Sequence, residues 1–382
     1  MKAYKFRLYP NKEQEEKLDF ALDTCRQAYN ILLEELNQQV VIDKNMIQAT
    51  LPDLKICEPR FKEVYSKTLQ YECYRLFSNL SALRVLKSNK RKVGRLRFKG
   101  KGWFKTINYN QSGFELVKTN NRYDKLHLSK IGDIKILVHR EVIGNIKQVT
   151  IKKSLGKWYA SLVSDAKIGM ICGDKVLGID LGINSFIVDS ENNRVANPLN
   201  YNKHLVLLKE AHRNLSRKKR GSNNGLKSKI HLNKLYEKIN NCRYDFLHKT
   251  STDMIKKSKI LCVEKLNIKK MMEQKYYNAK NMADSSFGEF VNLLTYKAES
   301  AGCKLIMIDP KNTTKMCSNC KSIKEMKLYE RTYECPECGL VLDRDYNSAI
   351  NILNKGLVRA NVENNSSVIE ELSEKQEAIS LT

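Results

Sequence analysis

The sequence lacks several patterns that would point to common functions. No apolar run approaches the roughly 18 residues that a membrane-spanning helix needs, which disfavours a membrane protein. Residues 1–10 alternate polar and apolar side chains without an apolar core, so we expect no signal peptide there. The G-x-x-x-x-G-K-[ST] pattern of P-loop nucleotide hydrolases, the H-E-x-x-H pattern of zinc proteases and the motifs of serine or cysteine nucleophiles are also absent.

Acidic residues are scarce relative to basic ones. The 382 residues include 68 Lys and Arg but only 42 Asp and Glu, which gives a formal net charge of +26. A chain of this length has room for about two to four domains and at least one sizeable core. Because so basic a chain favours polyanionic partners and carries no membrane segment, we expect its partner to be nucleic acid.

The cysteines fall into two groups. Seven of the 11 are scattered and mostly lie beside apolar residues, as reduced core cysteines do, which is typical of a cytosolic protein. The other four form two C-x2-C pairs on either side of residues 321–334, and they are Cys317, Cys320, Cys335 and Cys338. Two such pairs are the ligand set of a tetrahedral zinc site. Because all four ligands are sulfur, the sequence predicts one closed, structural Zn²⁺ ion.

Hydrophobic spacing divides the N-terminal part into strands and helices. Residues 2–9 alternate as a strand, helical spacing begins at Lys12, and a second helical region covers 61–90. Glycine and asparagine separate six further strand-like segments, which are 106–109, 114–118, 125–128, 133–137, 146–153 and 158–165. These segments predict a small barrel or an antiparallel sheet that residues 2–9 complete, with the helices as an insertion.

Two stretches are strongly basic. Residues 84–105 contain ten Lys or Arg and no acid, interleaved with glycine and with the aromatic residues Phe98, Trp103 and Phe104. Residues 201–260 contain 16 basic and four acidic residues at largely helical spacing. Basic side chains mixed with aromatic ones favour contacts to a nucleic-acid backbone together with stacking. The candidate contact residues are Arg95, Arg97, Lys99, Lys101, Arg217, Lys218, Lys219 and Arg220.

Three acids lie where an acid is unexpected. Asp180 and Glu264 each lie on an apolar strand, where a carboxylate is costly unless it is paired or binds metal. The third, Asp345 or Asp343, follows the last cysteine closely, and the residues alone do not decide between the two. Three converging carboxylates could hold two divalent ions, Mg²⁺ or Mn²⁺, for in-line hydrolysis of a phosphodiester.

The C-terminal part continues with a helix and a strand before the cysteines. Helical spacing covers 285–301, and 304–309 is an apolar strand that Pro310 ends. After the cysteines a helix is predicted to begin near Asn347, with Asp345 or Asn347 as its N-cap. Residues 357–382 are rich in Asn, Ser and Glu, and we expect them to be a disordered tail.

Several motifs in a fixed order resemble one protein family. They are Lys2-Ala-Tyr-Lys-Phe-Arg-Leu-Tyr-Pro10, Gly178-Ile-Asp-Leu-Gly182, Leu215-Ser-Arg-Lys-Lys219, Val263-Glu-Lys-Leu-Asn267, Tyr296-Lys-Ala-Glu-Ser-Ala-Gly302, the two C-x2-C pairs and Asp343-Arg-Asp-Tyr-Asn-Ser-Ala-Ile-Asn-Ile352. Over nearly its whole length the chain resembles TnpB, the OrfB protein of bacterial and archaeal insertion sequences and a relative of type V CRISPR effectors. Lys321 departs from the family, which commonly has glycine after the second cysteine.

The resemblance implies an α/β fold. Its parts are an RNase H-like (RuvC) nuclease domain with an inserted zinc ribbon and an N-terminal wedge-type β-barrel that a helical recognition lobe interrupts. The expected bounds are 1–10 and 93–168 for the barrel, 11–92 for the lobe, 174–310 and 341–356 for the nuclease domain, 311–340 for the ribbon and 357–382 for the tail.

The resemblance also implies an activity and partners. It implies an RNA-guided DNA endonuclease in which Asp180, Glu264 and Asp345 bind two Mg²⁺ (or Mn²⁺) ions and carry the catalysis. The guide is an RNA from the end of the element, the target is double-stranded DNA beside a short flanking motif, and a separate transposase of the same element is a conceivable further partner. The expected location is the bacterial or archaeal cytoplasm, at the nucleoid.

Two alternatives remain. The first is a nuclease-inactive, RNA-guided DNA-binding repressor, which has no reason to keep Asp180, Glu264 and Asp345. The second is a transposase or accessory protein that acts directly on transposon ends, and a similar set of acids would serve it equally well.

Overall fold

The computed structural model describes residues 1–166, 169–268, 271, 279–327 and 329–363. The chain divides into two compact units, Met1–Lys167 and Ile168–Thr382. None of the helices in the described ranges is both long and apolar enough to cross a lipid bilayer.

The first unit is built on an antiparallel sheet of seven strands in the order β2-β6-β7-β1-β5-β4-β3. The strands are β1 (Lys2–Tyr9), β2 (Thr106–Asn110), β3 (Phe114–Val117), β4 (Asp124–Leu128), β5 (Gly132–Leu137), β6 (Ile146–Ser154) and β7 (Lys157–Ser164). Because side chains alternate along a strand, Tyr4, Phe6 and Leu8 of β1 all enter the core. This strand pairs with β7 along its length and with β5 near its end.

Three helices connect β1 to β2 in the first unit: α1 (Lys12–Gln38), α2 (Lys44–Cys57) and α3 (Ser66–Ser88). A capping box begins α1, in which the Asn11 side chain accepts from the Gln14 amide and the Asn11 amide donates to the Gln14 side chain. Apolar residues at helical spacing on α1, among them Leu18, Cys25 and Leu32, are completely buried in the same core as the sheet.

The six strands predicted between residues 106 and 165 are confirmed to within about two residues at their ends, and residues 2–9 join their sheet as expected. In the order of hydrogen-bonded strands, β2 and β3 are the two terminal strands.

Two features of the helices differ from the prediction. The spacing missed α2, which contains Pro52, and the second predicted helix begins only at Ser66 because Pro59–Lys62 forms a separate 3₁₀ turn.

The second unit contains a five-stranded sheet in the order β10-β9-β8-β11-β12 and a separate two-stranded sheet, β13-β14. The strands are β8 (Lys175–Leu181), β9 (Ser185–Asp189), β10 (Arg194–Ala196), β11 (Ser258–Glu264), β12 (Lys304–Ile308), β13 (Thr332–Glu334) and β14 (Val341–Asp343). The three strands β8, β11 and β12 run parallel, so their carboxyl ends meet at one edge.

The described helices of the second unit are α4 (Asn200–Lys203), α5 (Leu205–Ser216), α6 (Asn223–Lys257), α7 (Ala279–Ser285), α8 (Phe287–Ala301) and α9 (Arg344–Glu363). The predicted helix 285–301 and strand 304–309 are confirmed within two residues. The start of the last helix was predicted wrongly, because α9 begins at Arg344. It also continues to Glu363, so residues 357–363 are helical and not part of a disordered tail, while 364–382 lie outside the described residues.

Two glycines allow α9 to lie directly on the sheet. A Cβ on Gly178 of β8 would come within 2.4 Å of the Ala349 carbonyl oxygen on α9. A Cβ on Gly356 of α9 would come within 2.2 Å of the Cys262 sulfur on β11. Since real Cβ atoms do not approach other atoms so closely, a larger residue at either position would push the helix away from the strands.

Candidate functional site

The carboxyl edge of the parallel strands carries two of the predicted acids. Asp180 lies one residue before the end of β8, and Glu264 is the last residue of β11. The register pairs Ile179 with Val263, so the two acids occupy matching positions on neighbouring strands. Because side chains two residues apart on a strand point to the same face, Asp180 shares the face of Gly178, which α9 covers. The third acid, Asp345, lies in the first turn of α9.

Asp180 is influenced electrostatically by the other two acids. Burial raises the pKa of Asp180 well above its ordinary value, and the charges of Glu264 and Asp345 raise it further, while Arg344 opposes them. Burial also raises the pKa of Glu264, which is 7% exposed. Like charges gathered in a partly buried site disfavour ionisation unless a cation neutralises them. The site therefore has the charge and ligand type that hard divalent cations require.

The structure separates the roles of Asp343 and Asp345. One oxygen of Asp343 accepts hydrogen bonds from the amides of Asp345 and Tyr346 at 3.0 and 3.1 Å. The same oxygen lies 3.1 Å from the Arg194 guanidinium. Asp343 is therefore the N-cap of α9, which corrects the prediction that Asp345 or Asn347 caps this helix. The carboxylate of Asp345 does not cap the helix; its oxygens lie 3.8 Å from the Arg331 guanidinium and 3.5 Å from that of Arg344, and its charge acts on Asp180.

Glu264 has a partner that the sequence did not indicate. The Thr313 hydroxyl donates a hydrogen bond of 2.5 Å to one oxygen of Glu264. This bond opposes the effect of burial on the Glu264 pKa, as does the nearby charge of Lys355, whereas Asp309 adds to it. Thr313 lies in an irregular segment with no distinctive local pattern, so no sequence signal could have identified it.

The four predicted cysteines converge. Among the residues that the structure describes, they form the one group of three or more potential ligands whose donor atoms all lie within 4.8 Å of one another, so the three acids are not gathered around a single point. The sulfur atoms of Cys317 and Cys338 are 3.7 Å apart, and those of Cys320 and Cys335 are 3.4 Å apart. Four sulfurs at about 2.3 Å from one tetrahedral zinc ion would be separated by about 3.8 Å. The cysteine set therefore fits a zinc ion.

Local hydrogen bonds favour a thiolate at Cys335. The Ser322 hydroxyl lies 3.1 Å from the Cys335 sulfur. Together with backbone amides of residues 337 and 338, it lowers the pKa of Cys335 to about 6. Burial has the opposite effect on Cys317, whose pKa it raises to about 12. Since zinc binds thiolates, Cys335 is the ligand most easily deprotonated before metal arrives.

The first basic cluster follows α3 in an extended segment. The Lys99 backbone anchors this segment to α1, because its amide donates to Asn30 and its carbonyl accepts from Arg26 and Asn30. Arg95, Arg97 and Lys101 are exposed and Lys99 is half-buried. Among the aromatic residues, Phe98 and Trp103 are 58% and 67% exposed, whereas Phe104 is buried against Tyr29.

The second basic cluster lies at the connection between α5 and α6. These helices pack together through Leu208, Ala211, Leu232 and Ile239. The four basic residues Arg217, Lys218, Lys219 and Arg220 are all exposed there. Each basic cluster belongs to a different compact unit.

Comparisons with known proteins agree with these features. A family model described as "Probable transposase" (OrfB of the IS605 type) matches residues 172–275, and one described as "Cas12f1-like, TNB domain" matches 287–352. A third, described as "Helix-turn-helix domain", matches residues 1–40, which in this chain form β1 and α1.

Two curated relatives match over nearly the full length and a third matches over part of it. A protein of Streptomyces pristinaespiralis named "Putative RNA-guided DNA endonuclease" is 28% identical over 375 residues, which cover 93% of this chain and 89% of the relative. A protein of Escherichia coli (strain K12) with the same name and the suffix InsQ is 27% identical over 384 residues, which cover 93% and 92%. A TnpB-like protein, L79, of Acanthamoeba polyphaga mimivirus is 32% identical over 147 residues, or 37% and 27% of the two chains.

Solved structures share the fold. A Cas12f1–sgRNA–target DNA complex matches with a TM-score of 0.60 at 18% identity, covering 90% of this chain and 83% of the other. The mini-RNA-guided endonuclease Cas_phi3 matches with a TM-score of 0.55 at 9% identity, covering 94% and 92%. The fold is thus the mixed α/β fold of compact CRISPR effectors. Together these matches confirm the resemblance of the chain to the TnpB (OrfB) proteins of insertion sequences.

Proposed function

We propose that this chain is an RNA-guided DNA endonuclease whose catalytic residues are Asp180, Glu264 and Asp345. The observation that carries the proposal is the position of Asp180 and Glu264 at matching places on neighbouring parallel strands, where the charges of Glu264 and of Asp345 from α9 both raise the pKa of Asp180. A binding protein gains nothing from such a repulsive cluster, whereas metal-dependent phosphodiester hydrolysis uses one to hold its cations. The names of the full-length relatives support the same activity.

The carboxylates fit two hard divalent cations, Mg²⁺ or Mn²⁺, which would supply Lewis-acid stabilisation of the attacking and leaving oxygens of a phosphodiester. The remaining residues orient these ligands. Thr313 holds one oxygen of Glu264, and Asp343 fixes the first turn of α9 and thereby the position of Asp345.

The cysteine set Cys317, Cys320, Cys335 and Cys338 would hold one structural zinc ion. Its sulfur separations support this assignment. We further propose the domain organisation that the family implies. In it, β1–β7 form the wedge-type barrel, α1–α3 the recognition lobe, the five-stranded sheet with α9 the RuvC-type nuclease domain, and the segment around β13 and β14 the zinc ribbon.

The partners in this proposal are a guide RNA from the end of the element and a double-stranded target beside a short flanking motif. A net charge of +26 and two exposed basic clusters support a polyanionic partner. Since base pairing reads the sequence in guided recognition, these clusters would contact the backbone of the nucleic acid. A bacterial or archaeal nucleoid and a separate transposase of the same element complete the setting that we propose.

Plasmid cleavage tests the proposal against its two alternatives. The protein is purified with its RNA, the RNA is sequenced, and the complex is incubated with Mg²⁺ and a plasmid that carries a matched target. We expect linear plasmid only when guide and target match. Tight matched binding without cleavage would support the repressor, and cleavage or joining at element ends without a guide would support the transposase.

A further inference from the structure

Two completely buried asparagines connect the last helix to the cysteine site. Asn347 and Asn351 of α9 are each 0% exposed. Four residues apart on a helix, they lie on the same face. Both contact residues 313–318, the irregular segment that follows β12 and ends at the first cysteine pair. Because buried amide groups are costly without hydrogen bonds, both side chains need partners within the protein.

The contacts of the two asparagines are specific. The side-chain oxygen of Asn347 accepts from the Ser318 amide at 3.0 Å, and its nitrogen donates to the Met316 carbonyl at 2.9 Å. The side-chain nitrogen of Asn351 donates to the Thr313 carbonyl at 3.0 Å and to the Met316 carbonyl at 2.6 Å. Together they satisfy backbone groups of a segment whose only β pairing in the described residues is the isolated bridge between Met316 and Ile323.

The same segment reaches the acids at its other end. Thr313 presents its carbonyl to Asn351 and its hydroxyl to Glu264. Ser318, which donates to Asn347, lies directly after the metal-ligand candidate Cys317. A continuous path of hydrogen bonds therefore runs from the cysteine site through Asn347 and Asn351 to Thr313 and Glu264. Asp345 lies two residues before Asn347 on the same helix.

We propose that Asn347, Asn351 and Thr313 are positioning residues that hold the acidic centre in a fixed position relative to the cysteine site. In this arrangement an ordered cysteine site fixes residues 313–318, and these residues fix both Glu264 and the helix that carries Asp345. The inference rests on the proposed function in so far as the acids form a metal-dependent centre. It goes further in making the geometry of that centre depend on the zinc ligands.

Such a path of hydrogen bonds predicts that a change at the cysteine site alters divalent-ion binding at the acids, and that a change at the acids alters zinc retention. If the asparagines merely fill the core, their replacement lowers stability without a specific effect on either metal site. If they position the sites, an isosteric change that removes one hydrogen-bond donor must alter zinc retention and divalent-ion binding together. Coupled perturbations are also non-additive, whereas independent ones add.

The first experiment measures zinc retention and does not depend on nuclease activity. Asn351→Asp keeps the side-chain shape but replaces a donor by an oxygen that faces two carbonyls. We expect zinc to pass to a chelating dye about ten-fold faster from this variant than from the wild type, the lower end of effects seen when partners of metal ligands are changed. Asn292→Asp, an exposed change on α8, is the matched control and should leave the rate unchanged. An unaltered rate in Asn351→Asp would overturn the inference.

The second experiment measures Mn²⁺ binding by electron paramagnetic resonance. We expect Thr313→Val to weaken binding and Thr313→Ser, which restores the hydroxyl, to recover most of it. Removing zinc should weaken Mn²⁺ binding by about ten-fold in the wild type but less than about two-fold in Asn351→Asp, because the path is already interrupted. Equal effects of zinc removal in both proteins would contradict the proposed path.

Asp180→Asn distinguishes failure of this inference from failure of the proposed function. If this variant binds Mn²⁺ as the wild type does, the acids are not the divalent-ion site and the proposed function fails. The zinc-release rates of Asn351→Asp and its control still decide whether the asparagines hold the cysteine site. If Asp180→Asn abolishes Mn²⁺ binding while zinc removal leaves the wild-type affinity intact, the positioning inference alone fails.

Discussion

Gly178 of β8 lies directly against Ala349 of α9, so closely that a Cβ on the glycine would come within 2.4 Å of the alanine carbonyl oxygen. Two residues further along the strand, on the same face, is Asp180. The close approach of strand and helix therefore determines how near the first turn of α9, with Asp345, comes to Asp180.

Gly178→Ala tests this contact. The added methyl group meets backbone atoms that cannot rotate away, so we expect the second unit to lose about 1–3 kcal/mol of unfolding free energy. Cleavage should fall as well, because α9 moves away from Asp180. Urea denaturation and a cleavage assay measure the two effects. Gly288→Ala on α8, where a Cβ would meet nothing within 4 Å, is the matched control and should be neutral or slightly stabilising.

Variants of Asp343 test the distinction between this helix cap and Asp345, the proposed catalytic acid. Asp343→Ala should cost about 1 kcal/mol of unfolding free energy, because two amides of the first turn lose their acceptor. Asp343→Asn can still accept those bonds, so it should retain most of the stability and a substantial part of the cleavage activity. Thermal unfolding measures the stability of the two variants, and a cleavage assay measures their activity. Complete loss of cleavage in Asp343→Asn, with stability intact, would identify Asp343 as a ligand of the catalytic centre.

A buried acid in the first unit predicts a pH dependence. Glu72 on α3 is 0% exposed, its carboxylate lies 3.4 Å from Arg75, and burial raises its pKa from 4.5 to about 8. Because the folded state holds this proton more tightly than the unfolded state, the contribution of Glu72 to stability is complete below about pH 4.5 and declines towards pH 8.

Glu72→Gln removes this titration. We expect the unfolding free energy of the wild type to fall relative to that of Glu72→Gln as the pH rises from 5 to 8. Urea denaturation at several pH values gives the difference directly. A constant difference across this range would show that Glu72 does not titrate in it.

The basic connection between α5 and α6 predicts a change in salt dependence. If Lys218 and Lys219 bind phosphates, replacing both by alanine should reduce the slope of log affinity against log salt by about 0.7–0.9 for each phosphate that the protein no longer neutralises. Lys118→Ala with Arg122→Ala, in the turn between β3 and β4, removes the same charge from another exposed site. Equal slopes for the two double variants would mean that the effect comes from net charge alone.

Much of the fold was predictable because local patterns determine it. The strands between residues 106 and 165 alternate clearly, and Asn11 with Gln14 marks the start of α1. The helix α2 escaped prediction because Pro52 interrupts its spacing. Asp343 and Asp345 could not be separated by sequence pattern, since either could cap a helix, and only the hydrogen bonds of the folded chain distinguish them.

The candidate site was predictable in its charged residues but not in its supporting contacts. An acid on an apolar strand and a pair of C-x2-C motifs stand out in any sequence. Thr313, Asn347 and Asn351 do not, because their roles depend on the packing of α9 against residues from another part of the chain. The need for glycine at positions 178 and 356 likewise becomes visible only in the folded chain, where α9 packs against the strands.

The central claim is that Asp180, Glu264 and Asp345 form one metal-dependent nuclease centre. Its most direct test compares guided binding and guided cleavage in Asp180→Asn, Glu264→Gln and Asp345→Asn, with Asp253→Asn on the exposed surface of α6 as the control. We predict that each of the three loses cleavage of a matched plasmid while target affinity stays within about two-fold of the wild type, and that the control still cuts. Cleavage at the wild-type rate by any of the three would contradict the account.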